Sequence, residues 1–197
     1  MSFRYLTRKA KGLYRRITGM FRKIHFSILS SNGRVEGHPN QHQPVFYTGM
    51  GSIHFEENIN IGFLSSPGFW SGYCYLDSRS ESSRISIGEG TWINNGFSAI
   101  AEKGSIDIGR DWLIGHNVLI MDSDFHDINP KSRKSSANIK TGDVVISENV
   151  FIGSEVIVLK GTIIGRGCVV GAGSIVHGVF PDNCLISGNP AKIIRTL

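Results

Sequence analysis

The chain has 197 residues, of which 40% are hydrophobic and 19% charged, a composition that excludes a disordered or collagen-like protein and suits one folded domain. No apolar run reaches the ~18 residues that would span a bilayer. The three cysteines are widely separated and form no CxxC pair, as is usual in reducing compartments. We therefore expect a cytoplasmic protein, either free or peripheral on the inner face of the membrane.

Positive charge is concentrated at the N-terminus. Eight of the 21 basic residues, and none of the 16 acidic ones, lie in the first 23 residues, although the whole chain carries a formal net charge of only +5. The remaining chain is mildly acidic, with 13 basic residues against 16 acidic ones. A body that binds nucleic acid is therefore not expected.

Residues 3–29 are predicted to form an amphipathic helix, and residues 1–35 are assigned to this helix and a linker. Basic residues recur too often here for the apolar core of a signal peptide. Apolar residues recur mostly at three- and four-residue steps: Phe3, Leu6, Leu13, Tyr14, Ile17, Phe21, Ile24 and Ile28. Two alternatives remain open for this helix. It packs on the protein or on a neighbouring subunit, or residues 1–30 contact an anionic membrane surface. Each basic residue near such a surface contributes ~1 kcal/mol to the free energy of binding.

A six-residue repeat dominates the rest of the sequence, after a polar stretch at 30–50 that predicts a linker or irregular cap. Aliphatic residues recur every six positions at Ile146, Ile152, Val158, Ile164, Val170 and Val176, and an earlier block contains Ile87, Ile93, Ile108, Ile114 and Ile120. Six residues fit a short extended segment plus a turn, and three such segments close a triangular coil. We therefore predict an all-β fold in which stacked coils bury an aliphatic ladder.

The six-residue phase breaks once in the middle of this repeat. Ile120 and Ile146 are 26 residues apart instead of six, so the intervening residues are predicted to leave the coil as an extended loop, assigned to residues 121–145. The loop begins with the sequence DSDFH, which places a histidine between acidic residues. Long loops inserted into a regular scaffold commonly carry function.

Several motifs resemble those of the hexapeptide-repeat acyltransferases: Ile-Gly-x-x-Val-x repeats, the loop start SDFH, the run VVGAGSIV and the terminal GNPAKIIR. Within this family, the chain is similar to the galactoside, maltose and cell-surface-polysaccharide O-acetyltransferases over roughly residues 85–197. The resemblance implies a left-handed parallel β-helix over residues 36–185, a C-terminal tail at 186–197, a homotrimer, and acetyl-CoA as the acyl donor.

His126 is the candidate general base. Acyl transfer from a thioester requires the acceptor hydroxyl to lose its proton as it attacks, and a neutral imidazole accepts a proton readily near pH 7. Its position at the start of the loop matches the family's catalytic histidine. Asp124 is assigned with it as a catalytic residue that orients the ring; Asp127 or a backbone carbonyl are alternatives.

The resemblance also implies contacts to acetyl-CoA and to the acceptor. Ser154, Ala172, His177 and Arg195 occupy positions where the family contacts the pantetheine arm or the nucleotide phosphate. The family often has a Thr-Lys pair after GAGSIV, whereas this chain has His177 and Gly178, so one basic contact is missing.

Asn94 and Asn95 stand where the family contacts the acceptor, with an asparagine ladder at a coil corner as the alternative. Candidate residues for stacking on a sugar, or for core or interface packing, are Trp92, Trp112 and Phe125.

Other reactive side chains suggest less specific roles. The related γ-type carbonic anhydrases bind zinc through three histidines, two of them a few residues apart. Here His116 and His126 are ten residues apart without an evident third ligand, so no metal is expected. His116 fits an outward corner position better than a catalytic one, and Cys168 fits a small core position better than a nucleophile.

Together these features predict an acetyl-CoA-dependent O-acetyltransferase that acts on a sugar hydroxyl of a capsule, O-antigen or exopolysaccharide glycan. The basic N-terminal segment suggests a lipid-linked glycan as the acceptor. The alternative enzyme is an N-acetyltransferase acting on an amino-sugar nucleotide, or a relative of the serine acetyltransferases. A non-catalytic β-helix scaffold subunit is the alternative from another class.

Overall fold

The structure, a computed structural model, describes residues 3–127, 129–134 and 138–197, with side chains from residue 9 onward. Within these residues the chain forms one helix followed by three parallel sheets, here called A, B and C, that are the faces of a triangular prism. The helix is α1 (Phe3–Leu29), as the apolar spacing predicted. None of the described helices is long and apolar enough to cross a membrane.

Each of the first six turns of the chain contributes one strand to each sheet, the last turn adds strands to sheets A and B, and a final strand pairs antiparallel at the end of sheet B. Sheet A contains β1 (Val35–Glu36), β4 (Ser52–Phe55), β7 (Arg84–Ile87), β10 (Ser105–Ile108), β13 (Val144–Ile146), β16 (Ile163–Ile164) and β19 (Val179–Phe180). Sheet B contains β2 (Asn40–Gln41), β5 (Asn60–Ile61), β8 (Trp92–Ile93), β11 (Leu113–Ile114), β14 (Phe151–Ile152), β17 (Val169–Val170), β20 (Cys184–Gly188) and β21 (Ala191–Thr196). Sheet C contains β3 (Val45–Gly49), β6 (Cys74–Ser78), β9 (Ser98–Ala101), β12 (Leu119–Met121), β15 (Ile157–Val158) and β18 (Ile175–Val176). The predicted fold, a left-handed parallel β-helix, is confirmed.

The repeat positions stack directly above one another along the prism axis. In sheet B, Ile93 pairs with Ile114, Ile114 with Ile152, and Ile152 with Val170. These side chains are at most 4% exposed. The smaller inward residues Val150, Val156, Thr162, Cys168 and Ser174 are also buried. Burial of each Ile or Val contributes about 1.5–3 kcal/mol, so the aliphatic ladder is the main source of stability.

Coils stack closely because glycine occupies the turn after many strands. A Cβ atom on Gly115 would lie 2.5 Å from the backbone nitrogen of Ser154 in the next coil. A Cβ atom on Gly153 would lie 2.6 Å from that of Ala172. Such contacts are too short for any Cβ atom, so the stacking itself requires glycine at these two positions of the prism edge.

Helix α1 is attached to the N-terminal coils through one side only. The ring of Phe26 lies 4.6 Å from that of Tyr73 and 6.3 Å from that of Phe46. In contrast, Tyr14 is 71% exposed and Ile28 77% exposed. Most of the predicted apolar face of α1 is therefore uncovered in the isolated chain.

Three segments differ from the sequence-based expectation. Coil strands already begin at Val35, inside the segment expected to be a linker or cap. The residues expected to be a tail instead form β21, which pairs antiparallel with β20 and extends sheet B. A second insertion, residues 62–73, leaves the prism between β5 and β6 and was not predicted.

Candidate active site

The turns between sheets B and C form one edge of the prism, here called the BC edge. It comprises residues 94–96, 115–117, 153–155 and 171–173, one turn per coil. Backbone hydrogen bonds join them: the N–H of Glu155 donates to the carbonyl of His116, and that of Gly173 to the carbonyl of Ser154, each at 2.9 Å. Polar and small side chains are thereby held in a column along the prism.

Two of the predicted cofactor residues are neighbours in this column. Ser154 is half-buried, and its hydroxyl accepts a hydrogen bond of 3.1 Å from the backbone N–H of His116. Ala172 lies in the next coil and is exposed. The short side chain of Ala172 leaves the surface above Ser154 open, so an extended chain is able to run along this edge.

Asn94 and Asn95 have different roles. Asn94 lines a cavity of about 270 Å³ with Phe63, Trp92, Leu113 and others on the outer face of sheet B. Asn95 is fully buried, and its amide donates to the carbonyls of Phe63, Ser66 and Pro67 while its oxygen accepts from the N–H of Phe63. Asn95 therefore anchors the 62–73 insertion instead of facing an acceptor, and only Asn94 keeps the predicted role.

The predicted loop leaves from a different edge, between sheets C and A, here called the CA edge. The buried carboxylate of Asp122 accepts backbone hydrogen bonds of 2.7–3.2 Å from Glu102, Lys103 and Gly104 in the preceding coil. Ser123 and Thr141 pair as an antiparallel bridge across the base of the loop. Both ends of the loop are thus fixed to each other and to the prism at the base of the loop.

His126 projects from the base of this loop into solvent. Phe125 precedes it with a φ of 58°, an uncommon conformation for a bulky residue, and the N–H of His126 donates to the carbonyl of Asp124 at 2.7 Å. The guanidinium carbon of Arg79 lies 4.7 Å from the centre of the Phe125 ring. These contacts hold the backbone that carries the imidazole.

The two neighbouring aspartates have partners other than the imidazole of His126. Asp124 forms an ion pair with Lys160 from the next coil, so the expectation that it orients the ring is not supported by its geometry. Asp127 accepts hydrogen bonds from Ser132 and from the N–H of Asn129, at 2.5 and 2.8 Å. These bonds hold the pKa of Asp127 below its usual value. Both carboxylates shape the loop.

The remaining cofactor candidates are not all on one edge. His177 is exposed and follows β18, so it lies on the CA edge with His126 and not with Ser154. Arg195 is exposed on β21 opposite Leu185. Lys192 on the same strand pairs with Ser187, which packs against Gly171 at the BC edge. Sequence reasoning missed Lys192, although a second basic residue beside Arg195 in the strand-like AKIIRT segment was a usable signal.

Other candidates have structural roles. Trp112 is fully buried and donates from its indole N–H to the carbonyl of Ser147 at 2.7 Å, so it belongs to the core. Cys168 is buried, and desolvation raises the pKa of its thiol, which disfavours the thiolate form of a nucleophile. His116 is at the BC edge, 3.4 Å from the carboxylate of Glu155. The described residues contain no cluster of three or more His, Cys, Asp or Glu side chains able to hold a metal.

The repeat coils match a known protein family. Residues 143–178 match the model of the bacterial transferase hexapeptide, six repeats. Over 160 residues the chain is 37% identical to a protein of Escherichia coli strain K12 named as an O-acetyl transferase of lipopolysaccharide biosynthesis, covering 77% of this chain and 76% of the relative. It is 43% identical over 116 residues to a polysialic acid O-acetyltransferase of Escherichia coli O1:K1 / APEC, covering 57% of this chain but only 36% of that protein.

Solved structures agree with this assignment. The chain is similar to a crystal structure of a polysialic-acid-specific acetyltransferase, with a TM-score of 0.60, 26% identity, and coverage of 84% of this chain and 83% of that one. The same fold occurs in a hexapeptide-repeat acetyltransferase from Vibrio cholerae O1 biovar eltor solved with acetyl-CoA, with a TM-score of 0.52, 21% identity, and coverage of 95% and 90%. The resemblance drawn from the sequence motifs is confirmed, and the chain belongs to the hexapeptide-repeat acyltransferase family.

Proposed function

We propose that the protein transfers an acetyl group from acetyl-CoA to a sugar hydroxyl of a cell-surface glycan. The observation that carries this proposal is the exposed imidazole of His126 on a loop base held by the prism, in a chain similar to named O-acetyltransferases. Relatives named for polysialic acid and lipopolysaccharide favour capsule, O-antigen or exopolysaccharide sugars as acceptors.

His126 acts as the general base in this proposal. Its neutral imidazole takes the proton of the acceptor hydroxyl while the oxygen attacks the thioester carbonyl carbon. The carbon–sulfur bond then breaks, and the imidazolium returns the proton to the departing thiolate of CoA. A base of this kind typically contributes 10²–10⁴-fold to the rate. A backbone N–H at the prism edge stabilises the developing oxyanion.

The BC edge is the proposed site for acetyl-CoA. Ser154 and Ala172 line an open path along the coils, and the pantetheine arm is an extended chain of the kind that such a path accepts. Lys192 and Arg195 place two cations on β21 at the end of sheet B, suited to the nucleotide phosphates. Asn94 lies further along the same edge and is proposed to contact the acceptor.

The base and the proposed donor path lie on different edges of the same prism. Sheet C separates them by about five extended residues, or ~16 Å. A second copy whose CA edge faces the BC edge of the first brings His126 to the donor path. This contact is head-to-tail, and repeated head-to-tail contacts close into a ring when the rotation between neighbouring copies is a whole fraction of a turn. We propose that three copies close in this way, as the family resemblance implies.

The membrane surface is the proposed location of α1. Its exposed side includes Tyr14, Phe21 and Ile28, and the first 23 residues carry eight basic residues without an acidic one. A helix of this kind binds at the interface of anionic membranes, with ~1 kcal/mol per basic residue near the surface. Flotation with anionic vesicles should recover the full chain and not a chain that lacks residues 1–30. Equal recovery of both would exclude this role.

The activity is tested by CoA release from acetyl-CoA against sugars, oligosaccharides and nucleotide sugars, including amino-sugar nucleotides. We expect release with a hydroxyl acceptor, and a loss of 10²–10⁴-fold in His126→Ala with unchanged assembly. Release only with free amines would favour the N-acetyltransferase. Absence of release with every acceptor would contradict the proposal and favour a scaffold. Full activity of His126→Ala would contradict the assignment of His126 as the general base.

The shared site is tested by mixing two inactive variants. His126→Ala lacks the base, and Ala172→Trp blocks the donor path. Subunits exchanged at a one-to-one ratio should regain roughly a quarter of the sites, because one interface then combines an intact BC edge with an intact CA edge. Lack of recovery in mixed assemblies would indicate a site within one chain.

A further inference from the structure

A second cavity lies between helix α1 and the 62–73 insertion. Its volume is about 590 Å³, larger than the cavity at Asn94. Its lining comprises Arg15, Arg16, Gly19, Met20, Lys23, Gln41, His42, Gly62, Phe63, Leu64, Phe69, Trp70 and Trp92. Nothing in the proposed acetyl transfer uses it, since neither His126 nor Ser154 belongs to the lining.

The walls of this cavity are held in place by specific contacts. The guanidinium of Arg22 donates hydrogen bonds to the carbonyls of Phe69 and Gly72, at 2.8 and 2.5 Å, and so attaches α1 to the insertion. The buried amides of Asn95 and Gln43 hold the insertion from the prism side. The cavity is therefore a built feature of the folded chain and not a gap between loose segments.

The chemistry of the lining fits an amphiphile with a negative head group. The walls are mainly aromatic and aliphatic side chains, among them Met20, Leu64 and Trp70. Arg15, Arg16 and Lys23 supply three cations from α1. None of the described lining residues is acidic, so these cations have no carboxylate within the cavity itself. A hydrocarbon chain matches the walls, and a phosphate matches the cations.

The cavity under α1 adjoins the proposed acceptor position. Phe63 and Trp92 line both this cavity and the smaller one that contains Asn94. A molecule that fills the first cavity therefore reaches the second across these two rings. The smaller cavity in turn includes Gly115, which packs against Ser154 on the proposed donor path.

We propose that the cavity between α1 and residues 62–73 binds the lipid-phosphate part of the acceptor. The phosphate ester contacts Arg15, Arg16 and Lys23, its hydrocarbon chain lies among Met20, Leu64 and Trp70, and the attached sugar extends across Phe63 and Trp92 to Asn94. This inference rests on the proposed function for the sugar end, but the binding of a lipid phosphate does not require acetyl transfer.

The binding test uses dodecyl phosphate below its micelle concentration, titrated by calorimetry into the full chain. We expect one molecule per chain, bound at least roughly tenfold more tightly than dodecyl maltoside or inorganic phosphate. Quenching of Trp70 and Trp92 by a spin-labelled analogue should spare Trp112, which is buried in the core. Equal affinity for dodecyl maltoside, or no binding, would overturn the proposal.

Two matched double variants locate the phosphate. Arg15→Gln/Arg16→Gln removes two charges from the lining, whereas Lys9→Gln/Lys11→Gln removes two charges from α1 outside this cavity. We expect roughly a tenfold loss of dodecyl phosphate affinity in the first pair and less than twofold in the second. Equal losses would show a diffuse surface attraction, as for a bilayer, and would reject the cavity as the site.

The kinetics of acetyl transfer distinguish a failure of this inference from a failure of the proposed function. Once a sugar acceptor is identified, its dodecyl phosphate conjugate should show a KM at least roughly tenfold below that of the free sugar. That difference should disappear in Arg15→Gln/Arg16→Gln. Equal KM values for both acceptors would overturn the lipid-phosphate site while leaving the acetyltransferase intact, whereas no turnover with either acceptor would contradict the proposed function alone.

Discussion

The C-terminal coils and the N-terminal third of the chain are held together in different ways. In residues 143–178, every sixth side chain is an aliphatic residue that is at most 1% exposed, and the outward positions vary. In the N-terminal third, α1 and the 62–73 insertion are held by individual polar side chains, chiefly Arg22, Gln43 and Asn95.

This difference separates stability from specificity. The coils depend on many equivalent apolar contacts, so an outward substitution changes little and the family pattern remains recognisable. The insertion and α1 depend on a few contacts that no repeat dictates, and they surround the cavities proposed for the acceptor. Single substitutions should therefore act differently in the two regions.

The largest expected effect is in the apolar ladder. Ile152→Ala should lower the free energy of unfolding by about 2–5 kcal/mol, because it opens a cavity in a fully buried layer. The adjacent Phe151→Ala is the matched control, since Phe151 points outward and is 46% exposed. Denaturant unfolding checks both. A similar loss in the two variants would contradict the division between inward ladder and outward face.

Asn95→Ala should have the next largest effect, confined to the N-terminal region. Removal of its amide leaves the carbonyls of Ser66 and Pro67 without this donor, and that of Phe63 with only the N–H of Ser66, at a cost of about 1–3 kcal/mol. Hydrogen exchange should accelerate in residues 62–73 and remain slow in 143–178. Asn94→Ala is the neighbouring control, expected to raise the KM of the acceptor without loosening the insertion. Equal exchange in both variants would indicate that Asn95 is not the anchor.

Lys160→Gln should act on the loop that carries His126. The side chains of Lys160 and Asp124 are only 25% and 30% exposed, so loss of the lysine leaves a largely buried carboxylate without its ionic partner. We expect kcat to fall roughly tenfold with an unchanged KM for acetyl-CoA, because the base is displaced while the donor path is intact. Arg110→Gln, which breaks the 2.9 Å Arg110–Glu148 pair on the edge between sheets A and B, should leave kcat unchanged. Equal kcat values for Lys160→Gln and the unmodified protein would show that Lys160 does not position His126.

The smallest expected effect is on the pH dependence of the same loop. Hydrogen bonds hold the pKa of Asp127 below its usual value near 3.8, so its contribution to loop stability is complete above that value. The contribution is lost as the pH falls through the lowered pKa. Protease cleavage within residues 129–134 should therefore stay slow from pH 7 to about 5 and accelerate only in stronger acid. The Asp127→Asn variant should be cleaved faster than the unmodified protein at every pH in this range. An unchanged cleavage rate would contradict the role of Asp127 in anchoring the loop.

Much of the fold was predictable because its contacts are local and periodic. The spacing of Leu13, Ile17, Phe21 and Ile24 is sufficient to predict α1. The six-residue repeat of aliphatic residues is sufficient to predict the buried ladder. The break in that repeat located the loop. The position of His126 at the loop start, the chemistry of imidazole and the resemblance to the family together made it the candidate base. These features depend on residue type and spacing alone.

Other features were decided only by the tertiary structure. The repeat shows that a residue lies at a turn, but insertions of unknown path determine which prism edge that turn joins. The separation of His126 from Ser154, the partner of Asp124, the anchoring role of Asn95 and the cavity beneath α1 all depend on contacts between residues far apart in sequence. Periodicity carries no information about such contacts, because they involve side chains outside the repeating positions.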